Sequence, residues 1–242
     1  MSILRAIGDV HGCITERFRY NDLPSYVELC KELGPNDYSI QVGDMGFVYD
    51  DITKNVDANH HKFFYGNHDN ADTYYDCPNA LGDYGKVDLG PFSFFFVRGA
   101  FSLDKKYRIR NEEITKVKSW WKEEELTYRQ GLECLDLYER TKPAVVFSHD
   151  CPTDISFLIG NPDIVMAFGY PRSMVTATQE LLQQMADVHQ PKLHIFGHYH
   201  RDWEVKYKGT HYICIDERRY IDFDKDWNIV GKSGTERKSS GL

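Results

Sequence analysis

Five short segments rich in histidine and aspartate carry side chains that could bind metal ions and transfer protons. In chain order they read G-D-V-H-G, G-D, G-N-H-D, S-H-D and G-H-Y-H, at residues 8–12, 43–44, 66–69, 148–150 and 197–200. They supply two carboxylates, one amide and four imidazoles as ligands, with a fifth imidazole left for proton transfer. Divalent and transition metals accept all three ligand types. The set is therefore what a two-metal hydrolytic centre requires.

Each of these segments follows an apolar run that predicts a β-strand. Asp9 and His11 are two residues apart, so on an extended chain they point the same way, and His198 and His200 repeat this spacing. A sheet that brings its strand ends to one edge would gather all the ligands there. The predicted strands lie at residues 3–7, 38–42, 62–65, 144–147 and 193–196.

The intervening sequence alternates between predicted helices and hairpins. Gly90-Pro91 and Gly209 supply turns for two hairpins, 87–97 and 203–215, and the phenylalanines of the first are expected to pack in the core. Residues 162–170 are predicted to be a loop. Helices are predicted within residues 15–33, at the start of 50–61, and at 111–121, 126–140 and 173–189.

Composition fits a single enzyme domain. The chain has 242 residues, of which 41% are hydrophobic, and no repeat or long linker divides it. We therefore predict one domain over residues 1–230. The Ser-, Gly- and Lys-rich tail, residues 231–242, is predicted to be disordered.

Charge and cysteine content narrow the expected partners and compartment. A net charge of −8 disfavours a long nucleic-acid duplex, although it leaves short or single-stranded nucleic acid open. No apolar stretch approaches the roughly 20 residues of a membrane span, and no signal peptide precedes the first strand, so no membrane association is expected. The six cysteines lack C-x-x-C spacing, which favours a reducing, cytoplasmic location.

The ordered pattern D-x-H, G-D, G-N-H-D, H, G-H-x-H resembles the signature of the calcineurin-like metallophosphoesterase superfamily, from about residue 5 to about residue 216. The form G-D-M-G-F and residues 98–108 and 119–126 are similar to a bacterial and phage subgroup described as serine/threonine-phosphatase-like. That subgroup does not define a substrate. The resemblance implies an α/β fold, a four-layer α/β/β/α sandwich with two mixed β-sheets.

The resemblance also implies two divalent metal ions, manganese first, with iron, zinc, nickel or cobalt compatible with the ligand types. A hydroxide between the ions would attack phosphorus in line, and His68 would protonate the departing oxygen or steady the phosphoryl group. The implied ligands form two groups that share one carboxylate: Asp9, His11 and His200 for the first ion, Asn67, His149 and His198 for the second, and Asp44 for both.

One position departs from the pattern of many relatives. They carry G-D-x-x-D-R, whose second aspartate orients the catalytic histidine and whose arginine holds phosphate, but here Phe47 and Val48 occupy those positions. Asp69 or a backbone carbonyl is then expected to orient His68. A guanidinium suits phosphoryl oxygens, so another arginine is expected to bind phosphate. The candidates, in order of preference, are Arg108, Arg98 and Arg172.

The function expected from these residues is hydrolysis of a phosphomonoester or small phosphodiester, with a small phosphorylated molecule or a phosphoprotein as substrate. Asp44 and His68 are the residues expected to be catalytic. Two alternatives remain open at this point. One is a metal-dependent nuclease of the same superfamily, and the other is a protein-binding scaffold that retains the fold and metal without turnover.

Overall fold

The computed structural model describes residues 2–16 and 23–233 and folds them into two β-sheets flanked by helices. In this part of the chain the strands are β1 (Leu4–Ile7), β2 (Tyr38–Gln41), β3 (His61–Phe63), β4 (Tyr84–Leu89), β5 (Phe92–Val97), β6 (Val145–Ser148), β7 (Leu193–Phe196), β8 (Trp203–Tyr207), β9 (Thr210–Cys214), β10 (Tyr220–Phe223) and β11 (Ile229–Lys232). The helices are α1 (Tyr26–Lys31), α2 (Asp50–Asn55), α3 (Lys105–Thr115), α4 (Tyr128–Thr141), α5 (Thr153–Leu158), α6 (Asn161–Ala167) and α7 (Ala177–Val188).

Both sheets are mixed. The first has the order β11-β10-β1-β2-β3, in which β1, β2 and β3 are parallel and β10 runs antiparallel to β1. The second has the order β4-β5-β6-β7-β9-β8, with β5, β6, β7 and β9 parallel and an antiparallel strand at each edge. Five parallel strands of the two sheets therefore end just before the ligand-bearing segments: β1, β2, β3, β6 and β7.

The main hydrophobic core lies between the two sheets. Ala6 and Ile40 of the first sheet pack with Phe94, Phe147 and Ile195 of the second, and all five are at most 1% exposed. Phe92, Phe94 and Phe96 belong to this core, as the alternation along β5 predicts.

Helices cover the outer face of each sheet. On the first sheet, Leu29 of α1 and Ile52 of α2 share a hydrophobic cluster with Phe63 of β3. On the second, Cys134 of α4 and Leu182 of α7 pack with strand residues of β5 and β6. The layers are thus helix, sheet, sheet, helix, and the predicted α/β fold with two mixed sheets is confirmed.

Helix boundaries differ most from the sequence prediction in three places, while α4 and α7 lie within a few residues of their predicted limits. The helix predicted at 111–121 is α3, which begins six residues earlier at Lys105 and ends at Thr115, where Lys116 adopts a left-handed backbone. The predicted loop at 162–170 is wrong, because Pro162 lies in the first turn of α6, where its missing N–H costs no hydrogen bond. The predicted helix at 15–33 is reduced to α1, which a Ser25 capping box starts, and residues 17–22 lie outside the described part.

The predicted domain limit at residue 230 falls within β11, so Gly231 and Lys232 are strand residues. The rest of the predicted tail, from residue 234 onwards, lies outside the described residues.

Among the described helices, none combines the length and the apolar character that crossing a lipid bilayer demands.

The inter-sheet core predicts a large cost for losing one aromatic ring. Phe147 is fully buried and packs on Phe94 with ring centroids 5.0 Å apart. Phe147→Ala should lower the free energy of unfolding by about 3–5 kcal/mol, because the sheets cannot close over the cavity. Phe157→Ala, at a position that is 44% exposed, is the matched control and should change it by about 1 kcal/mol or less. Urea denaturation of both variants measures the difference, and equal effects would contradict the proposed core.

Candidate metal centre

The predicted ligands meet where the parallel strands of the two sheets end. Asp9 and His11 follow β1, Asp44 follows β2 and His149 follows β6. Four ionisable side chains of this group have ligand atoms that all lie within 4.8 Å of one another. They are Asp9, His11, Asp44 and His200.

These four side chains form the first half of the site. His200 Nε2 lies 3.1 Å from Asp9 Oδ2 and 3.0 Å from His11 Nε2, and His11 Nε2 lies 3.9 Å from Asp44 Oδ2. Two ligands on one cation, each at about 2.1 Å, are separated by roughly 3–3.5 Å at the angles of tetrahedral or octahedral shells. The spacing and the O/N donor set therefore fit a divalent metal ion.

Asp44, Asn67 and His149 form the second half of the site. His149 Nε2 lies 3.0 Å from Asn67 Oδ1 and 3.2 Å from Asp44 Oδ1. All three side chains are at most 3% exposed. Asp44 thus presents Oδ1 to this group and Oδ2 to His11, which is the arrangement that a bridging carboxylate needs.

His198 lies between the two halves. Its ring centroid is 5.0 Å from that of His149, and its backbone N–H points at Asp9, with both carboxylate oxygens 3.2 Å away. Burial lowers the pKa of His198 to about 3, so the ring is neutral and has a nitrogen lone pair free for a metal. The structure therefore brings all seven predicted ligands to one place.

Two acceptors outside the ligand set fix which imidazole nitrogen faces the centre. His149 Nδ1 lies 2.8 Å from the Val42 carbonyl oxygen, to which it donates, so Nε2 points to Asn67. His200 Nδ1 lies 3.1 Å from Glu217 Oε1 in the same way. Such partners orient metal-binding histidines and raise their basicity.

Sequence reasoning missed Glu217. It reaches the centre because β10 runs antiparallel beside β1, so the turn before β10 lies at the end of β1. In that turn the Arg218 N–H donates to the Asp9 carbonyl (2.9 Å). No sequence motif marks β10 as the partner of β1, so no sequence signal indicated that Glu217 lies near the centre.

Four of the ligand residues adopt a left-handed backbone, which is uncommon for residues with a side chain. The φ angles are 49° for His11, 59° for Asp44, 67° for His198 and 49° for His200. Such conformations cost of order 1–3 kcal/mol each and cluster at functional sites. The loops therefore hold the ligands in a geometry that an unconstrained chain would avoid.

Two glycines allow the ligands to approach the backbone closely. A Cβ on Gly66 would overlap Asp44 Oδ1, and one on Gly197 would overlap Asp9 Oδ1. Only glycine fits at these two positions, because any side chain would displace a carboxylate.

Asp69, the last residue of G-N-H-D, does not orient His68 as predicted. Its carboxylate accepts hydrogen bonds from the backbone N–H groups of Asp44 (3.0 Å), Gly46 (3.0 Å) and Gly66 (2.7 Å). It thereby ties the loop after β2 to the loop after β3. Burial, followed by the nearby Asp44 charge, raises the pKa of Asp69 to about 7.

Arg108 on α3 contacts His68, whose ring also meets the His11 ring edge-on with centroids 5.1 Å apart. Its Nη2 lies against the His68 ring, while its Nε bonds Asp104 Oδ2 (2.8 Å) and its Nη1 bonds the Ser119 carbonyl (2.7 Å). Burial first, and then the Arg108 charge, lower the pKa of His68 to about 4 although Asp44 opposes them. Phe47 instead packs on Trp121 at the rim, with ring centroids 5.4 Å apart.

The other two candidate phosphate-binding arginines have different partners. Arg98 is buried and pairs with Asp83 (2.5 Å), while Arg172 is exposed and pairs with Asp163 (3.2 Å). Neither of these ion pairs involves a predicted ligand. Of the three arginines, Arg108 is the one whose described contacts include His68.

Comparison with known proteins assigns the family. The family model described as calcineurin-like phosphoesterase matches residues 4–202. This chain belongs to the calcineurin-like phosphoesterase family. The matched region contains every ligand-bearing segment of the chain. No curated protein matches its sequence.

Solved structures share the fold at low sequence identity. TT1561 of Thermus thermophilus is 9% identical with a TM-score of 0.51, over 96% of this chain and 97% of that one. A provisionally assigned 5′-nucleotidase from Staphylococcus aureus is 15% identical with a TM-score of 0.50, over 96% of this chain. The match spans 52% of the S. aureus protein, about half its length. These similarities support the fold.

The carboxylates around His149 and His200 favour the protonated form of both rings, and metal binding should displace these protons. Burial lowers the pKa of His149 and of His200, but Asp44 and Asp9 respectively outweigh it and raise these pKa values to about 10 and about 9. Both rings are therefore protonated at pH 7.5, whereas a metal ligand must be neutral. Apparent metal affinity should rise with pH, by up to about 10-fold per unit for each proton displaced, and level off near pH 10.

Calorimetric titration with Mn²⁺ at pH 7.5, in two buffers of different ionisation enthalpy, measures the released protons. We expect at least about two protons per chain at saturation, because a metal-bound water can release a further one. A measured release of no protons would contradict the prediction that His149 and His200 are protonated before metal binds and become ligands when it does.

Proposed function

We propose that this chain is a dinuclear metal-dependent phosphoesterase that hydrolyses a phosphomonoester or a small phosphodiester. The observation that carries the proposal is the position of Asp44, whose two oxygens face two different ligand groups. Two dications repel strongly, and a shared carboxylate makes their close approach tolerable. Manganese is the first candidate metal.

Divalent cations bound there would polarise a phosphoryl oxygen and lower the pKa of a water molecule. The residues of the chain supply the remaining functions. The buried carboxylates of Asp9 and Asp44 would hold the positive charge in place, while the partly exposed His11 (24%) and the more exposed His200 (44%) form the solvent side of the centre. Substrate therefore approaches from the side of these two histidines.

His68 and Arg108 form the proton-transfer and phosphate-binding pair. The His68 backbone N–H donates to Asp44 Oδ1 (2.7 Å), which fixes His68 beside the centre. Its ring, which is neutral near pH 7 with a pKa of about 4, steadies the phosphoryl group through an N–H, or protonates the departing oxygen once the phosphate anion has raised that pKa. Arg108, braced by Asp104, keeps one guanidinium nitrogen on the side of His68, where it can bind a phosphoryl oxygen.

The substrate that we propose is a small phosphorylated molecule or a phosphoprotein. The net charge of −8 does not favour a long nucleic-acid partner, because duplex binding needs clustered lysines and arginines. An anionic phosphate group is nevertheless attracted locally, since the charge of two dications outweighs that of the two carboxylates.

Loss of the shared carboxylate charge should abolish turnover. With Mn²⁺ present, the unsubstituted protein should hydrolyse p-nitrophenyl phosphate or its bis-ester, and Asp44→Asn should reduce kcat/KM by about 10³-fold or more, which corresponds to about 4 kcal/mol. Asp88→Asn, at an exposed position on β4, is the control and should retain full activity. Equal activity of the Asp44→Asn variant and the unsubstituted protein would defeat the proposal.

Removal of the His68 ring should slow the chemical step without loss of bound metal. His68→Asn should lower kcat by about 10²–10⁴-fold, because a positioned acid or donor is lost. Its Mn²⁺ content, measured by elemental analysis, should equal that of the unsubstituted protein. His211→Asn, which removes a histidine paired with Glu204 on the edge hairpin, should leave kcat unchanged. A normal kcat for His68→Asn would exclude His68 from the reaction.

A further inference from the structure

Two chain segments outside the ligand-bearing loops, residues 98–108 and 119–126, lie against each other beside the candidate metal centre. We call them the paired segments. Side-chain and backbone groups of one donate to backbone carbonyls of the other: Arg98 Nη1 to Glu123 (2.7 Å), Ala100 N to Glu124 (3.1 Å) and Arg108 Nη1 to Ser119 (2.7 Å).

The paired segments touch the centre at two neighbouring residues. Arg108 contacts His68, as described above. Ser102, which is fully buried, accepts a hydrogen bond at Oγ from Asn67 Nδ2 (3.1 Å). Because Asn67 is a predicted metal ligand, its hydrogen bond to Ser102 can determine which end of its amide faces the centre.

The Asn67 amide has one end that can bind a cation and one that cannot. Its Oδ1 lies 3.0 Å from His149 Nε2, on the side of the second ligand group. Its NH₂ group carries no lone pair for a metal. Rotation of the amide by 180° would present NH₂ to the centre, and an acceptor on the opposite side opposes that rotation. Ser102 Oγ is such an acceptor.

Ser102 is itself held by a buried carboxylate. Its backbone N–H donates to Glu124 Oε2 (3.3 Å), which also accepts from Trp120 Nε1 (2.8 Å). Glu124 is 3% exposed, and its backbone carbonyl is tied to Ala100. The acceptor therefore has a fixed position instead of moving with a surface loop.

We infer that Ser102 is a positioning residue for the second metal site: it holds Asn67 with its amide oxygen towards His149 and Asp44, while Glu124 and Trp120 hold Ser102. The inference rests on the proposed dinuclear function. It assigns residues 98–108 and 119–126 a shared role, because they place Ser102 behind one ligand and Arg108 against His68.

Metal titration of the full chain tests this role. Calorimetry with Mn²⁺ should resolve two binding steps in the unsubstituted protein. Ser102→Ala should weaken one step by about 10–100-fold, the usual effect of removing a group that orients a ligand, and leave the other unchanged. Ser102→Thr, which keeps a hydroxyl acceptor, should restore the weakened step. The weaker Mn²⁺ binding of Ser102→Ala should be measurable by calorimetry without any assay of turnover.

Ser156→Ala is the matched control, since Ser156 is also buried and its hydroxyl bonds a backbone carbonyl, that of Thr153, on α5. It should leave both binding steps unchanged. Two unchanged steps in Ser102→Ala would overturn the positioning role alone. Equal weakening of both steps with a lowered melting temperature would also overturn it, since that result indicates a structural role. A stoichiometry of one ion per chain in the unsubstituted protein would instead overturn the dinuclear function.

Discussion

The burial of two carboxylates at the ends of β1 and β2 is the constraint on which this structure depends. Asp9 and Asp44 are each 1% exposed, and an isolated carboxylate in such a place is strongly destabilising. Positive charge and N–H donors must therefore surround them. Backbone N–H groups of His198 and His68 point at the two carboxylates, and the imidazoles complete the shell. The low pKa of Asp44, which His149 maintains against the effect of burial, reflects that balance.

The same constraint explains the unusual backbone around the centre. Ligands from five loops can reach two carboxylates only if the loops turn sharply, and the left-handed conformations of His11, Asp44 and His200 provide these turns. Asp69 then links two of the loops through backbone N–H groups. The ligand loops therefore tolerate backbone strain, because hydrogen bonds and the rigid strand ends fix their conformation.

The departure at Phe47 and Val48 is accommodated from a different part of the chain. Where many relatives place an aspartate and an arginine directly after the second ligand block, α3 brings Asp104 and Arg108 together at i and i+4. Arg108 reaches His68 from there, and Phe47 packs against Trp121. The paired segments that carry Arg108 and Trp121 also carry Ser102. The paired segments beside the loop after β2 thus supply the arginine that Phe47 and Val48 replace in that loop.

Much of this molecule follows from local sequence. Alternating apolar residues, glycines and strand-ending motifs predicted the strands that precede the ligands, because strand pattern and turn chemistry are encoded over a few residues. The ligand types, and their order along the chain, indicated a metal centre and the family. Where local signals conflict, as for Pro162 at the start of α6 or the early start of α3 at Lys105, the sequence prediction was wrong.

The remaining features depend on contacts between residues far apart in the chain. Antiparallel pairing brings Glu217 to His200, sheet packing sets the Asp44 oxygens towards two ligand groups, and α3 places Arg108 on His68. No spacing rule predicts such contacts, because they are fixed by how sheets and helices pack and not by neighbouring residues. The sequence by itself thus determined which groups can bind metal, and the tertiary structure decided their orientation, protonation and support.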